Sequence, residues 1–360
     1  MCAFLTIIVW ATGFTQAARA GQGLVLGADV IFYGDNTEFR NPFREGETIF
    51  GAAARLDGRV EISESVTLSL GVFGNQRFGS DQSFEQVRPV VAMSIRKGPS
   101  RFIFGTLSTP RAGWPSGPDR TGPHGLLPPL QRETLAFERP YEAGLQWTVD
   151  ARDYEHDTWV QWQRLNTEEH RERLDAGARA QWRMNGVLSL PVHAHIVHEG
   201  GQLHATGPVR DSVALATGIV LSRRLPASRE QPIVVLDPSL ELLGLWSHFT
   251  PDREQPQRTR DGAAFFGRAA IEGLAWRAHL IVWRGDDFIK DEGDPNYLSI
   301  RRDGTRYRGI RDYAEAGITK SFDVARASRL EASFRLHRVE RHYEYSYRVL
   351  GVVRVRARVK

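Results

Sequence analysis

Beyond residue 20 the chain runs in segments of about ten residues in which apolar and polar side chains alternate. The last segment is the clearest. From Tyr343 the odd positions are Tyr343, Tyr345, Tyr347, Val349, Gly351, Val353, Val355, Ala357 and Val359. The even positions are Glu344, Ser346, Arg348, Leu350, Val352, Arg354, Arg356, Arg358 and Lys360. A helix would scatter these charges around its surface, whereas a strand places nearly all of them on one side. The same alternation marks Ala143–Ala151, Ala176–Met184, Leu188–Ile196 and Leu330–Leu336.

This patterning predicts sixteen strands, near 23–33, 47–63, 66–78, 87–97, 101–108, 142–152, 156–166, 175–184, 187–198, 211–223, 239–249, 262–272, 274–284, 311–322, 328–340 and 342–359. Their connections alternate in length. Those after even strands are short, as at Glu64-Ser65, Asp153-Tyr154-Glu155, the Asn185-Gly186 turn and the Gly273 junction. Those after odd strands are mostly long: 34–46, 79–86, 109–141, 167–174, 199–210, 250–261 and 285–310. The stretch 224–238 breaks the rule on the short side, and the brief connection near 341 breaks it on the long side.

Composition narrows the class. With 41% hydrophobic residues among 360, a disordered chain is excluded. The net charge of +4 comes from basic residues spread along the chain, which argues against a nucleic-acid partner. Residues 3–12 are almost wholly apolar, and Ala18-Arg19-Ala20 follows as an A-x-A pattern. Residues 1–20 therefore read as a cleaved signal peptide, the apolar run being too short for a bilayer that needs ~20 helical residues. No Lys or Arg precedes that run, so Met1 can lie downstream of the true start. Cys2, the sole cysteine, falls within this peptide, so the mature chain has neither disulfides nor Cys-based metal sites.

The strand pattern over 21–360 resembles a bacterial outer-membrane β-barrel of the porin type: an all-β, closed antiparallel transmembrane barrel of about 16 strands, with short periplasmic turns and long external loops. A soluble sandwich or propeller also alternates. But here the apolar faces are rich in Ala, Leu and Val, with Trp and Tyr near strand ends, as a lipid face would be. Two features depart from the type. The chain ends Arg358-Val359-Lys360 rather than in an aromatic residue, and the acidic loop motif of general porins is absent. The resemblance implies an outer-membrane location, contact with outer-membrane lipid and lipopolysaccharide, the barrel assembly machinery as a partner, and the homotrimeric state of many general porins.

As to function, the barrel implies a channel for passive diffusion of small hydrophilic solutes, and no enzyme. The residues expected to line the lumen are Arg179, Arg183, His193, His195, Arg335, His337, Arg348, Arg354 and Arg356. They favour anions if free; alternatively they pair with carboxylates such as Glu331 and Glu344, or meet lipopolysaccharide phosphates. The proline-rich connection 109–141 is the third long one, the place of the constriction loop in general porins. It offers Asp119, Arg120, His124, Arg132 and Glu133. The H-x-H-x-x-H of His193, His195 and His198 reads as lumen lining, and the acidic 285–310 as a solvated loop, so no metal or other cofactor is expected. The alternatives are a barrel for polysaccharide export or adhesion, and a barrel-borne hydrolase. No G-x-S-x-G or other evident Ser–His–acid set marks the last.

Overall fold

The structure, a computed structural model, describes residues 23–108, 123–223 and 236–359. The signal-peptide reading of 1–20 and the connection 224–235 lie outside them. The described residues form sixteen antiparallel strands: β1 Leu24–Glu38, β2 Glu47–Glu61, β3 Val66–Arg77, β4 Gln86–Lys97, β5 Ser100–Thr106, β6 Ala143–Asp150, β7 Tyr154–Arg164 and β8 Glu172–Arg183. Then come β9 Leu188–Gly200, β10 Arg210–Ser222, β11 Asp237–Thr250, β12 Arg260–Gly273, β13 Trp276–Asp286, β14 Ile310–Ala325, β15 Ser328–Val339 and β16 His342–Val359. Each strand pairs with its sequence neighbours, and β1 pairs with β16 from Leu24↔Val359 to Glu38↔Tyr345, closing the barrel. Closure leaves no unpaired strand edge, which is what a hydrocarbon surrounding demands of a spanning sheet.

Strand boundaries differ from the sequence reading mainly at the long-loop end. β1 continues to Glu38 and β8 begins at Glu172, because their polar tips pair across the sheet rather than looping out. β11, whose start is blurred by Pro238, pairs from Asp237 onward. Pro238 sits second in the strand, where a missing N–H disturbs the ladder least. The β12–β13 turn lies at Leu274-Ala275, both at positive φ, so Gly273 stays in the ladder opposite Trp276.

The exterior is apolar between two aromatic girdles. Trp162, Trp246, Phe50, Phe78 and Tyr343 are exposed near the long-loop margin; Trp147, Trp182, Trp276 and Phe322 are exposed near the short-turn margin. Such belts mark the two membrane interfaces. Among the described residues, loops pack into the lumen on its long-loop side. Residues 123–137 are almost all buried, as are Phe288–Lys290 and Asn296–Ser299 of the β13–β14 loop, and Phe39, Asn41 and Phe43 of the β1–β2 loop. The packed interior contains Leu126, Leu127, Leu130, Trp159, Trp283, Phe288, Tyr297 and Tyr313. A four-residue helix, α1 Leu135–Glu138, presses Phe137 flat against Tyr33 of β1, with ring centroids 4.9 Å apart.

Candidate functional site

Two polar regions could hold chemistry, one inside the barrel and one on its outer wall. Inside, ion pairs tie the loops to the wall. Glu133 sits between Arg335 (2.9 Å) and Arg348 (2.7 Å), and Arg348 also holds Asp35. Burial penalises the charge on Glu133, but the two guanidinium groups outweigh it and hold its carboxyl down at about 2. His124 lies flat on Trp159, 3.6 Å between centroids, with Nε2 2.7 Å from Glu142 and Nδ1 3.0 Å from Asp157. Burial disfavours the imidazolium, but these two carboxylates prevail and lift His124 to about 10. Gly177 makes this stack possible, since a Cβ there would sit 2.4 Å from the Trp159 ring.

The other residues expected to line the lumen also have partners. Arg179 and Arg183 share Glu155, and Arg354 and Arg356 share Asp29. His193 is buried in the wall, and Arg132 reaches Glu138 within its own loop. Asp119 and Arg120 lie outside the described residues. His195 donates to the Leu130 carbonyl through Nδ1 and places Nε2 against Asp175, both at 2.9 Å. Asp175, His195 and Glu292 place ligand atoms within 4.8 Å of one another. Both nitrogens of His195 are already engaged, Trp159 donates to Asp175, and Arg139 and Arg173 donate to Glu292, so the trio is a loop anchor of mixed charge.

One hydroxyl–imidazole pair also lies inside. Ser346 Oγ is 2.8 Å from His337 Nε2, and His337 Nδ1 is 2.8 Å from the Tyr313 hydroxyl, which donates to Glu315. Ser346 and His337 are buried, and Phe39 covers the imidazole edge-on at 4.9 Å.

The outer wall presents a different set, at the long-loop margin of β9–β12. In β11 the odd positions Leu243, Leu245, Ser247 and Phe249 are buried inward, which places Trp246, His248 and Thr250 on the opposite face, where Trp246 is exposed, His248 half-buried and Thr250 buried at the strand's end. His248 faces Asp261 of β12 in register, and Asp261 Oδ1 accepts from His248 Nδ1 at 2.9 Å. His248 Nε2 lies 3.3 Å from Thr250 Oγ1. Fixing the proton on Nδ1 leaves a lone pair on Nε2 directed at the hydroxyl, the order of a nucleophile–base–orienter relay. The imidazole side chain is 37% exposed and the carboxylate 63%. Thr250 faces Asp211 of β10 in register, and Asp211 is held by His198 (2.7 Å) and Arg253 (3.0 Å). Below this row the wall is apolar, with Leu215, Trp246 and Phe265 exposed.

Sequence reasoning passed over this set because its acid lies across a loop from the other two residues. The legible signal is His248-x-Thr250, two residues on one face of a strand that ends there.

The fold is shared with outer-membrane barrels of known structure. A loop-deletion mutant of OmpT, an outer membrane protein of Vibrio cholerae, superposes with a TM-score of 0.56 at 9% identity, covering 93% of this chain and 100% of its own. An anion-selective porin from Comamonas acidovorans gives 0.51 at 9%, covering 93% and 100%, and OpdL of Pseudomonas aeruginosa gives 0.50 at 11%, covering 92% and 99%. At such identity these establish the outer-membrane barrel fold and nothing finer. No curated protein is significantly similar in sequence. The model of the lipid A 3'-O-deacylase-type family matches residues 15–357, and because this is an enzyme family it overturns the expectation of a non-enzyme. A barrel pattern records only that a sheet faces lipid, and it is silent about whether three polar groups at its rim form a reactive set. With nearly the whole length matched, the chain belongs to the lipid A 3'-O-deacylase-type family.

Proposed function

We propose that this barrel hydrolyses an acyl ester of an amphiphilic lipid in the outer leaflet, the 3'-O-linked acyl chain of lipid A being the substrate that the family's name supplies. The observation that carries this reading is the Asp261–His248–Thr250 array on the lipid-facing wall, at the margin where headgroups meet acyl chains. Thr250 Oγ attacks the ester carbonyl while His248 Nε2 takes its proton. The imidazolium, steadied by Asp261, returns that proton to the departing sugar oxygen. Water, deprotonated by His248, then cleaves the acyl-threonine and releases the fatty acid. The apolar wall around Leu215, Trp246 and Phe265 would hold the chains. A diffusion channel is supported less well, since three loop segments pack into the lumen.

The test is release of the fatty acid from lipid A by the detergent-folded barrel, followed by mass spectrometry. His248→Ala and Thr250→Ala should each lower the rate by roughly 10²- to 10⁴-fold, the worth of a general base or nucleophile. Ser346→Ala should retain the parent rate. Full activity in Thr250→Ala, or its loss in a folded Ser346→Ala, would move the chemistry to the lumen.

A further inference from the structure

The short-turn side of the barrel opens into a vestibule of about 730 Å³, separate from the rim site and roofed by Leu107 and Tyr141. Since both termini and the short turns lie at this end, it faces the periplasm. Its wall carries Arg55, Arg59, Arg96, Arg101, Arg354 and Arg356. Carboxylates neutralise four of these only in part. Arg55 and Arg59 share the single buried Asp57, and Arg354 and Arg356 share Asp29.

The remaining two have no such partner. Arg96 of β4 and Arg101 of β5 stand directly opposite each other in the ladder. Like charges in that position repel. Among the described residues neither guanidinium has a carboxylate within ion-pair distance. Arg101 is half-buried and is oriented by one bond, from Nε to Ser94 Oγ at 2.9 Å, which leaves its terminal nitrogens directed at the cavity. Arg55 and Arg59 add further positive charge around it, and Glu142, engaged with His124, also lines the vestibule. Glu61 and Glu64 of the neighbouring β2–β3 turn line the same vestibule at the level of this pair, where Arg96 N donates to Ser65 O, but neither is within ion-pair distance of the two guanidinium groups.

We propose that the vestibule is a binding site for a small polyvalent oxyanion of the periplasm, clamped between Arg96 and Arg101. The planar forks of two facing guanidinium groups match a phosphate-type group in bidentate fashion. The vestibule opens at the short-turn end and is ringed by arginine, so the ligand is taken as a soluble anion. The ligand relieves the repulsion that the strand register imposes, so binding and stability are coupled.

Inorganic pyrophosphate is the probe, titrated calorimetrically into the full-length detergent-folded barrel at low ionic strength. One saturable site is expected, together with a rise in unfolding temperature. Arg96→Gln/Arg101→Gln should weaken binding at least tenfold and unfold at a higher temperature than the parent without ligand. Arg183→Gln, at the same end but paired with Glu155, should bind as the parent does. No saturable binding to the parent, or equal binding to the double variant, overturns the proposal. So does equal weakening in Arg183→Gln. None of these results bears on the rim hydrolase reading, whose residues lie at the opposite margin.

Discussion

The lumen and the outer rim use the same residue types to opposite ends. Inside, His124 and His195 each have both ring nitrogens engaged, one by two carboxylates and the other by a carboxylate and a carbonyl. These contacts tie the plug loops to the barrel wall. At the rim His248 has one nitrogen on Asp261 and the other 3.3 Å from the Thr250 hydroxyl, the order proposed above for a base beside its nucleophile. Ser346 and His337 make a similar contact inside the barrel, where Phe39 covers the imidazole edge-on. The two regions differ in what surrounds the imidazole: buried loop and wall groups inside, a half-exposed carboxylate margin beside apolar wall residues at the rim.

The sharpest way to break this comparison is to change the orienting acid. Asp261→Asn keeps the shape but presents an amide to His248, favouring the wrong tautomer. Deacylation should fall by roughly 10²- to 10⁴-fold with the fold unchanged; a loss under threefold would remove Asp261 from the relay. The lumen should respond in stability instead. Glu133→Gln leaves Arg335 and Arg348 facing each other without their shared anion, which should cost about 3–5 kcal/mol, as breaking a buried pair does. Loss of resistance to heat in detergent measures it, and an unchanged melting profile would mean that the plug does not depend on this carboxylate.

The smallest effect expected is the pH response of His124. Its folded-state value of about 10 lies above the ordinary 6.5 of an unfolded chain. A raised value stabilises the fold fully below about 6.5, and the contribution fades as pH rises toward 10. Protease protection of the 123–142 segment should decline over that window. His124→Gln should flatten the decline, and an identical profile in that variant would assign it to other groups. Deacylation need not follow the same curve, since the rim imidazole is a separate group.

Much of the barrel is legible in the chain itself. The strict alternation of β16, with Tyr343, Tyr345 and Tyr347 outward and Arg348, Arg354 and Arg356 inward, admits only an extended strand between lipid and a polar interior. The turns at Glu64-Ser65 and Asn185-Gly186 set the order of long and short connections. These are local properties, because side-chain period and turn chemistry act over a few residues. The sequence determined the strands, their faces and which end of the barrel carries the loops. Only the tertiary structure decided what closes in space. It brought Glu133 to Arg335 and Arg348 across about two hundred residues, and seated His124 between Glu142 and Asp157. It also set Asp261 beside His248 through the register of β11 on β12. The reason is physical: periodicity fixes which way a residue points, whereas a site requires knowing which distant residue points back.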